Sequence, residues 1–167
     1  MAESTGRPPL VKVARLLHKH QVEYIVIGGS AAVLLGSPLP TFDVDLCYRR
    51  SEENLKRLAT ALREIHPTLR GAPPDLPFQL DDKSLALGSN FTFNTELGPL
   101  DLLGWVEPIG GYEQLLPNAD RTPVAELSVL VIGLDDLITI KRHIRRPKDQ
   151  AVLVQLEEIK RMREETK

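Results

Sequence analysis

A single cysteine, Cys47, stands among 167 residues, so no intramolecular disulfide can form and no cage of thiolates can hold a metal. That usage fits a reducing, cytoplasmic compartment. Charge of one sign does not prevail. The 21 Lys and Arg face 23 Asp and Glu, a formal net charge of -2, and bulk charge therefore points to neither nucleic acid nor a membrane surface. Long apolar runs are missing as well: Ile25 to Leu35 is too short and too broken by glycine to span a bilayer, and the opening MAESTGRPPL has no apolar signal-type core. Neither an internal repeat nor a low-complexity tract is visible. The expectation is one soluble domain over residues 1–167. With 42% hydrophobic and 26% charged residues, it is long enough for a core, since chains of about 150 residues bury roughly 70% of their unfolded surface.

Periodicity places the elements. Leu10, Val13, Leu16 and Leu17 recur at helical spacing over residues 9–20, with Pro9 suited to a first helical position. VEYIVIGG is β-rich and stops at two glycines, and SAAVLLG then reads as a short buried helix closed by Gly36. The prolines of SPLPT force a loop before FDVDLCY resumes as a strand. Ser51 is the cap candidate for a helix carrying Leu55, Leu58, Leu62 and Ile65 on one face. Residues 66–83, rich in proline, read as an irregular connection. Two strands follow around the turn ELGP, then a helical turn at YEQLLPNA, a strand at LSVLVIG, a helix beginning near Gly133 and a last amphipathic helix entered at Pro147. The fold class expected is α/β or α+β, a small mixed β-sheet with helices packed on one side.

Chemistry gathers at the second strand. Side chains at i and i+2 share a face of a strand, so Asp43 and Asp45 are expected to project together, away from Val44. Two like charges so close are costly unless a cation neutralises them. Magnesium, which takes one or two carboxylates plus water and phosphates, is the dication that suits them. Asp101 is the later aspartate set in an apolar strand pattern, GPLDLLG, and is the candidate third ligand. Gly28, Gly29 and Ser30, placed between a strand and a helix, let backbone N–H groups approach phosphate oxygens. Their spacing meets neither GxGxxG nor GxxxxGK[ST]. A DxD pair alone is most often two exposed acids, and a glycine pair alone is most often a tight turn. The combination carries the reading.

The ordered set GGSAAVLLG, TFDVDL, GPLDLLG and LDDLITIKRHIRRPKDQAVLVQLEEI, over residues 22–160, resembles the minimal nucleotidyltransferases of the DNA polymerase β-like superfamily, in particular the branch with AbiEii-type toxins. The resemblance implies a nucleotidyltransferase fold and transfer of a nucleoside monophosphate from an NTP to an acceptor, with Mg²⁺ as cofactor. It makes Asp43, Asp45 and Asp101 the metal ligands and Asp101 the activator of the acceptor hydroxyl. Gly28, Gly29 and Ser30 would hold the β/γ-phosphates, Lys141 would neutralise phosphate charge, with Arg145 and Lys148 behind it, and Asp149 would orient the lysine or cap the last helix. RNA such as tRNA, a protein or a small molecule are the acceptors it allows, and an antitoxin is an implied partner. One departure stands out: Leu39 occupies the place where many relatives carry an arginine. An inactive, nucleotidyltransferase-like binding module therefore stays open as the alternative. A DxD glycosyltransferase is a third reading, which leaves GGS unexplained.

KRHIRRPK, residues 141–148, is the densest positive cluster and reads by itself as a solvated face, or as a backbone contact if the acceptor is RNA. His18 and His20 are expected at the surface, Trp105 in the core, and Cys47 as a small buried hydrophobe.

Overall fold

A computed structural model describes residues 8–73, 75 and 78–166. In chain order it runs α1 (Pro8–Lys19), β1 (Tyr24–Val26), α2 (Gly28–Leu35), β2 (Val44–Tyr48), α3 (Glu52–Arg63), β3 (Thr68–Leu69), α4 (Asp82–Leu87), β4 (Asn90–Thr95), β5 (Gly98–Leu103), α5 (Tyr112–Leu115), β6 (Asp120–Val124), β7 (Leu127–Val131), α6 (Leu134–His143) and α7 (Pro147–Glu165). The two helices with the clearest apolar stripes form where the spacing predicts. In α1, Leu10, Val13, Ala14 and Leu17 are buried, and in α3 Leu55, Leu58 and Leu62. Each buried leucine contributes roughly 1.5–3 kcal/mol. Ser51 caps α3, its hydroxyl accepting the Asn54 N–H at 3.3 Å.

Among the described residues the strands make one mixed sheet in the order β3-β4-β5-β2-β1-β7-β6. The pairs β2–β5 and β1–β7 are parallel and the others antiparallel. This is the mixed α+β architecture expected, with one correction. Helices cover both faces of the sheet. Val44, Leu46 and Tyr48 point one way, where the Tyr48 hydroxyl donates to the Leu85 carbonyl of α4 at 3.5 Å. Asp45 points the other way, towards α2, where its carboxylate accepts the Gly29 N–H.

Three elements escape sequence periodicity. The strand β3 is two residues long and α4 six, both too short for a pattern to register. Strand β6 (DRTPV) is polar and carries Pro123, which is tolerated because β6 lies at the sheet edge and pairs only with β7. Trp105 is also not in the core: it is 49% exposed, its indole N–H donating to Glu107 at 3.1 Å. Cys47 is fully buried, as expected, and burial pushes its thiol up to about 12. Among the described residues no helix is long and apolar enough to cross a membrane.

Candidate functional site

The site begins where β1 ends. Ile27 donates its N–H to the Asp45 carbonyl at 2.9 Å, which fixes the exit of β1 against β2. Helix α2 then opens at Gly28 itself, so the two glycines form its first turn and do not precede it. Gly28 has φ 61°, and a Cβ there would meet the Asp45 carboxyl group, 2.8 Å from its Cγ. Only glycine satisfies both demands. Gly29 donates its N–H to Asp45 Oδ2 at 3.2 Å, and its Cα packs so closely on Thr41 that a Cβ would lie 2.8 Å from the threonine hydroxyl. Ser30 is buried. Its hydroxyl donates to the Asp43 carbonyl at 3.0 Å and lies 3.4 Å from the Asp45 N–H, which donates to it. Gly28, Gly29 and Ser30 therefore shape the DVD segment directly, with Ser30 tying backbone and lying outside the lining of the cleft described below.

Asp45 and Asp101 face each other across the parallel β2–β5 pair, and Thr92 of β4 continues the same row. The two carboxyl groups are within hydrogen-bonding reach. Burial pushes Asp45 up to about 7, helped by the charge of Asp101, by the hydrogen bond between them and by Asp43, against an opposing pull from Lys141. Close like charges that cannot both ionise freely produce such a shift. One Oδ1 of Asp101 is buried and receives no hydrogen bond. Arg70, at the end of β3, lies 3.0 Å from that oxygen as an ion pair, out of line for a hydrogen bond. Asp43 sits in the bend before β2, although it lines the same cleft.

These positions bear on a metal. Among the described residues, no group of three His, Cys, Asp or Glu side chains converges closely enough to hold an ion. The expected three-ligand set is therefore not assembled as it stands. Asp45 with Asp101 does fit Mg²⁺, which takes hard oxygens and needs only one or two carboxylates beside water and phosphate. The orphaned Asp101 oxygen is the kind of donor such an ion would engage.

A second charged cluster closes the cleft from α6 and α7. Lys141 is buried and donates to Asp149 Oδ1 at 2.7 Å. Arg146 grips the same carboxylate, Nε to Oδ2 at 2.6 Å and Nη2 to Oδ1 at 3.3 Å. Burial alone would push Asp149 up, yet the hydrogen bonds and charges of Arg146 and Lys141 hold it below the ordinary range. Sequence reasoning missed Arg146 and named its neighbour Arg145, which is exposed and does not line the cleft, whereas Lys148 does. The signal was present in outline: Arg146 is the residue before the first turn of α7 and Asp149 lies three residues on, the spacing at which a cap residue meets that turn.

The cleft enclosed by these groups has a volume of about 750 Å³, within the range of small-molecule sites. Its polar floor carries Gly28, Gly29, Asp43, Asp45, Asp101 and Lys141, and apolar side chains including Leu39, Phe42 and Ile144 form walls. Phe42, next to Asp43, is 79% exposed.

No family model matches the chain, and no curated protein matches it in sequence. Solved structures do. The lincomycin-bound lincosamide antibiotic adenylyltransferase LnuA superposes with a TM-score of 0.62 at 15% identity, over 91% of this chain and 96% of that one. The antibiotic-resistance factor ANT(2'')-Ia gives 0.62 at 12% identity, over 98% and 92%. A provisionally assigned nucleotidyltransferase from Thermotoga maritima gives 0.52 at 14% identity, over 95% and 92%. At these identities the likeness concerns architecture: the chain has a nucleotidyltransferase fold.

Proposed function

We propose that this chain is a Mg²⁺-dependent nucleotidyltransferase that moves a nucleoside monophosphate from an NTP to an acceptor hydroxyl and releases pyrophosphate. The observation that carries the proposal is the Asp45–Asp101 pair, register neighbours on parallel strands, held against the glycine-opened N-terminus of α2. Bound between them, Mg²⁺ would neutralise the two carboxylates and polarise the substrate phosphates. Asp43, on the same cleft, adds a further oxygen donor. Gly28 and Gly29 line the cleft at the N-terminus of α2, where the helix dipole favours negative charge such as that of a phosphate. Lys141 offsets phosphate charge and is fixed in place by Asp149. Lys148 adds to that field at the mouth of the cleft, and Arg145 does so from the surface beside it. Asp101 takes the proton of the acceptor hydroxyl as its oxygen attacks the α-phosphorus, and the bond to the bridging oxygen of pyrophosphate breaks.

The acceptor is RNA such as tRNA, a protein side chain or a small molecule. The resemblance to AbiEii-type proteins supports a toxin role with an antitoxin partner, and the lincomycin in the LnuA structure makes small hydroxylated molecules worth testing first. A single buried cysteine fits work in the cytoplasm. To test the proposal, the protein is incubated with each α-labelled NTP, Mg²⁺ and a panel of extract, RNA and small acceptors. Label should appear in one class and vanish in Asp45→Asn and Asp101→Asn. Label that survives both substitutions would end the assignment.

A second reading, a catalytically silent module of the same fold, is favoured by Leu39 in the cleft wall and by Arg70 beside Asp101. It predicts no thermal stabilisation by NTP with Mg²⁺. A ligand that binds the native state at 100 times its Kd adds about 2.7 kcal/mol, a shift of several degrees that decides between the two readings.

A further inference from the structure

Arg70 belongs to no part of the mechanism above, yet its surroundings are built. Its backbone N–H donates to the Thr92 carbonyl at 2.9 Å, so Arg70, Thr92, Asp101 and Asp45 stand in one row across β3, β4, β5 and β2. The guanidinium is held from the strand next door: Nη2 donates to the Phe93 carbonyl at 2.8 Å and Nε to Asn94 Oδ1 at 3.3 Å. Thus anchored, Nη2 rests 3.0 Å from the one Asp101 oxygen that no donor satisfies. A cation fixed by the sheet edge and aimed at that oxygen is a standing counter-ion.

We propose that Arg70 sets when the metal binds. Resting on the proposed Asp45–Asp101 site, the inference is that Arg70 and a dication are alternative neutralisers of Asp101. A positive charge already a few ångströms from the ligand oxygen repels an incoming free dication, because a Coulomb interaction at that range is strong in a partly buried site. The metal therefore enters as the metal–nucleotide complex, whose phosphates outweigh the guanidinium. Arg70 is a positioning residue: it touches Asp101 and not the substrate. The device keeps the site from being occupied by metal alone.

The test is titration of the full chain with Mn²⁺, an EPR-visible stand-in for Mg²⁺, with and without a non-hydrolysable NTP analogue. Arg70→Gln should bind free Mn²⁺ at least ten-fold more tightly than the parent, and the further tightening on adding the analogue should shrink. Arg70→Lys, which keeps the charge, should stay within about three-fold of the parent, while Asn94→Ala, which removes one anchor of the guanidinium, should move the same way as Arg70→Gln by a smaller factor. Unchanged or weaker Mn²⁺ binding in Arg70→Gln overturns the proposal, as does absence of Mn²⁺ binding in every variant with and without analogue. If Arg70→Gln shows the gain but no NTP is ever transferred, the counter-ion role stands and the transferase reading falls.

Discussion

Two acids of the same cleft, Asp149 and Asp45, are treated in opposite ways. Asp149 is wholly buried and gripped by Lys141 and Arg146, and its carboxyl is held below the ordinary range despite its burial. Asp45 is half-buried and faces another acid, and its carboxyl is pushed up to about 7. The first is a completed ion cluster that fastens α6 to the start of α7. The second is an incomplete one, Asp45 set against Asp101, and under the proposed function a substrate-bound Mg²⁺ would supply the neutralising charge. The difference separates a carboxylate that fastens the fold from one whose charge the fold opposes, which the proposed function explains by a ligand.

Breaking the completed cluster should have the largest effect. Asp149→Ala leaves the buried Lys141 without its partner, and removing one member of a buried pair typically costs about 3–5 kcal/mol. The urea midpoint should fall accordingly. A loss under about 1 kcal/mol would show that the cluster is solvated, and the contrast would dissolve.

Relaxing the incomplete cluster should do the reverse. Asp45→Asn removes a charge that folding raises in pKa, and an amide oxygen can still accept the Gly29 N–H. The sign follows from the shift. Asp45 ionises near 3.8 when unfolded and near 7 when folded, so the metal-free protein loses stability as pH rises through that interval and the penalty is full above pH 7. The asparagine variant should be more stable by on the order of 2 kcal/mol at pH 8. That advantage should fade towards pH 4. Equal pH profiles for parent and variant would contradict the account.

Asp43→Asn should give the smallest change. Asp43 lies before β2, and its charge is a lesser cause of the shift at Asp45 than Asp101. A gain of about 0.5 kcal/mol at pH 8, within the usual span for surface changes, is expected in the same unfolding assay. A gain as large as that of Asp45→Asn would mean that the pair which matters is Asp43–Asp45 and not Asp45–Asp101.

Much of this could be read from the chain. Val44 and Leu46 alternate with Asp45, and Leu100 and Leu102 with Asp101, so both acids announced themselves as polar breaks in apolar strands that turn out to pair in register. The glycines are legible only in part: the sequence places them between strand and helix, whereas Gly28 opens α2, where its φ of 61° and its contact with Asp45 demand glycine. Arg70 could not. It sits in a proline-rich connection, and its meeting with Asp101 depends on a two-residue strand whose existence rests on pairing with β4. Arg146 was hidden by a single-residue question of helix register, and Trp105 by size, since a large aromatic at a strand end can serve as well on the surface as inside.

The most direct measurement is a crystal structure of the protein with Mg²⁺ and a non-hydrolysable NTP analogue. The account predicts one ion shared by Asp45 and Asp101 at about 2.0–2.1 Å, with the nucleotide's terminal phosphates against Gly28 and Gly29. A nucleotide bound elsewhere, or the two carboxylates still joined to each other and to Arg70 with the nucleotide in place, would contradict it.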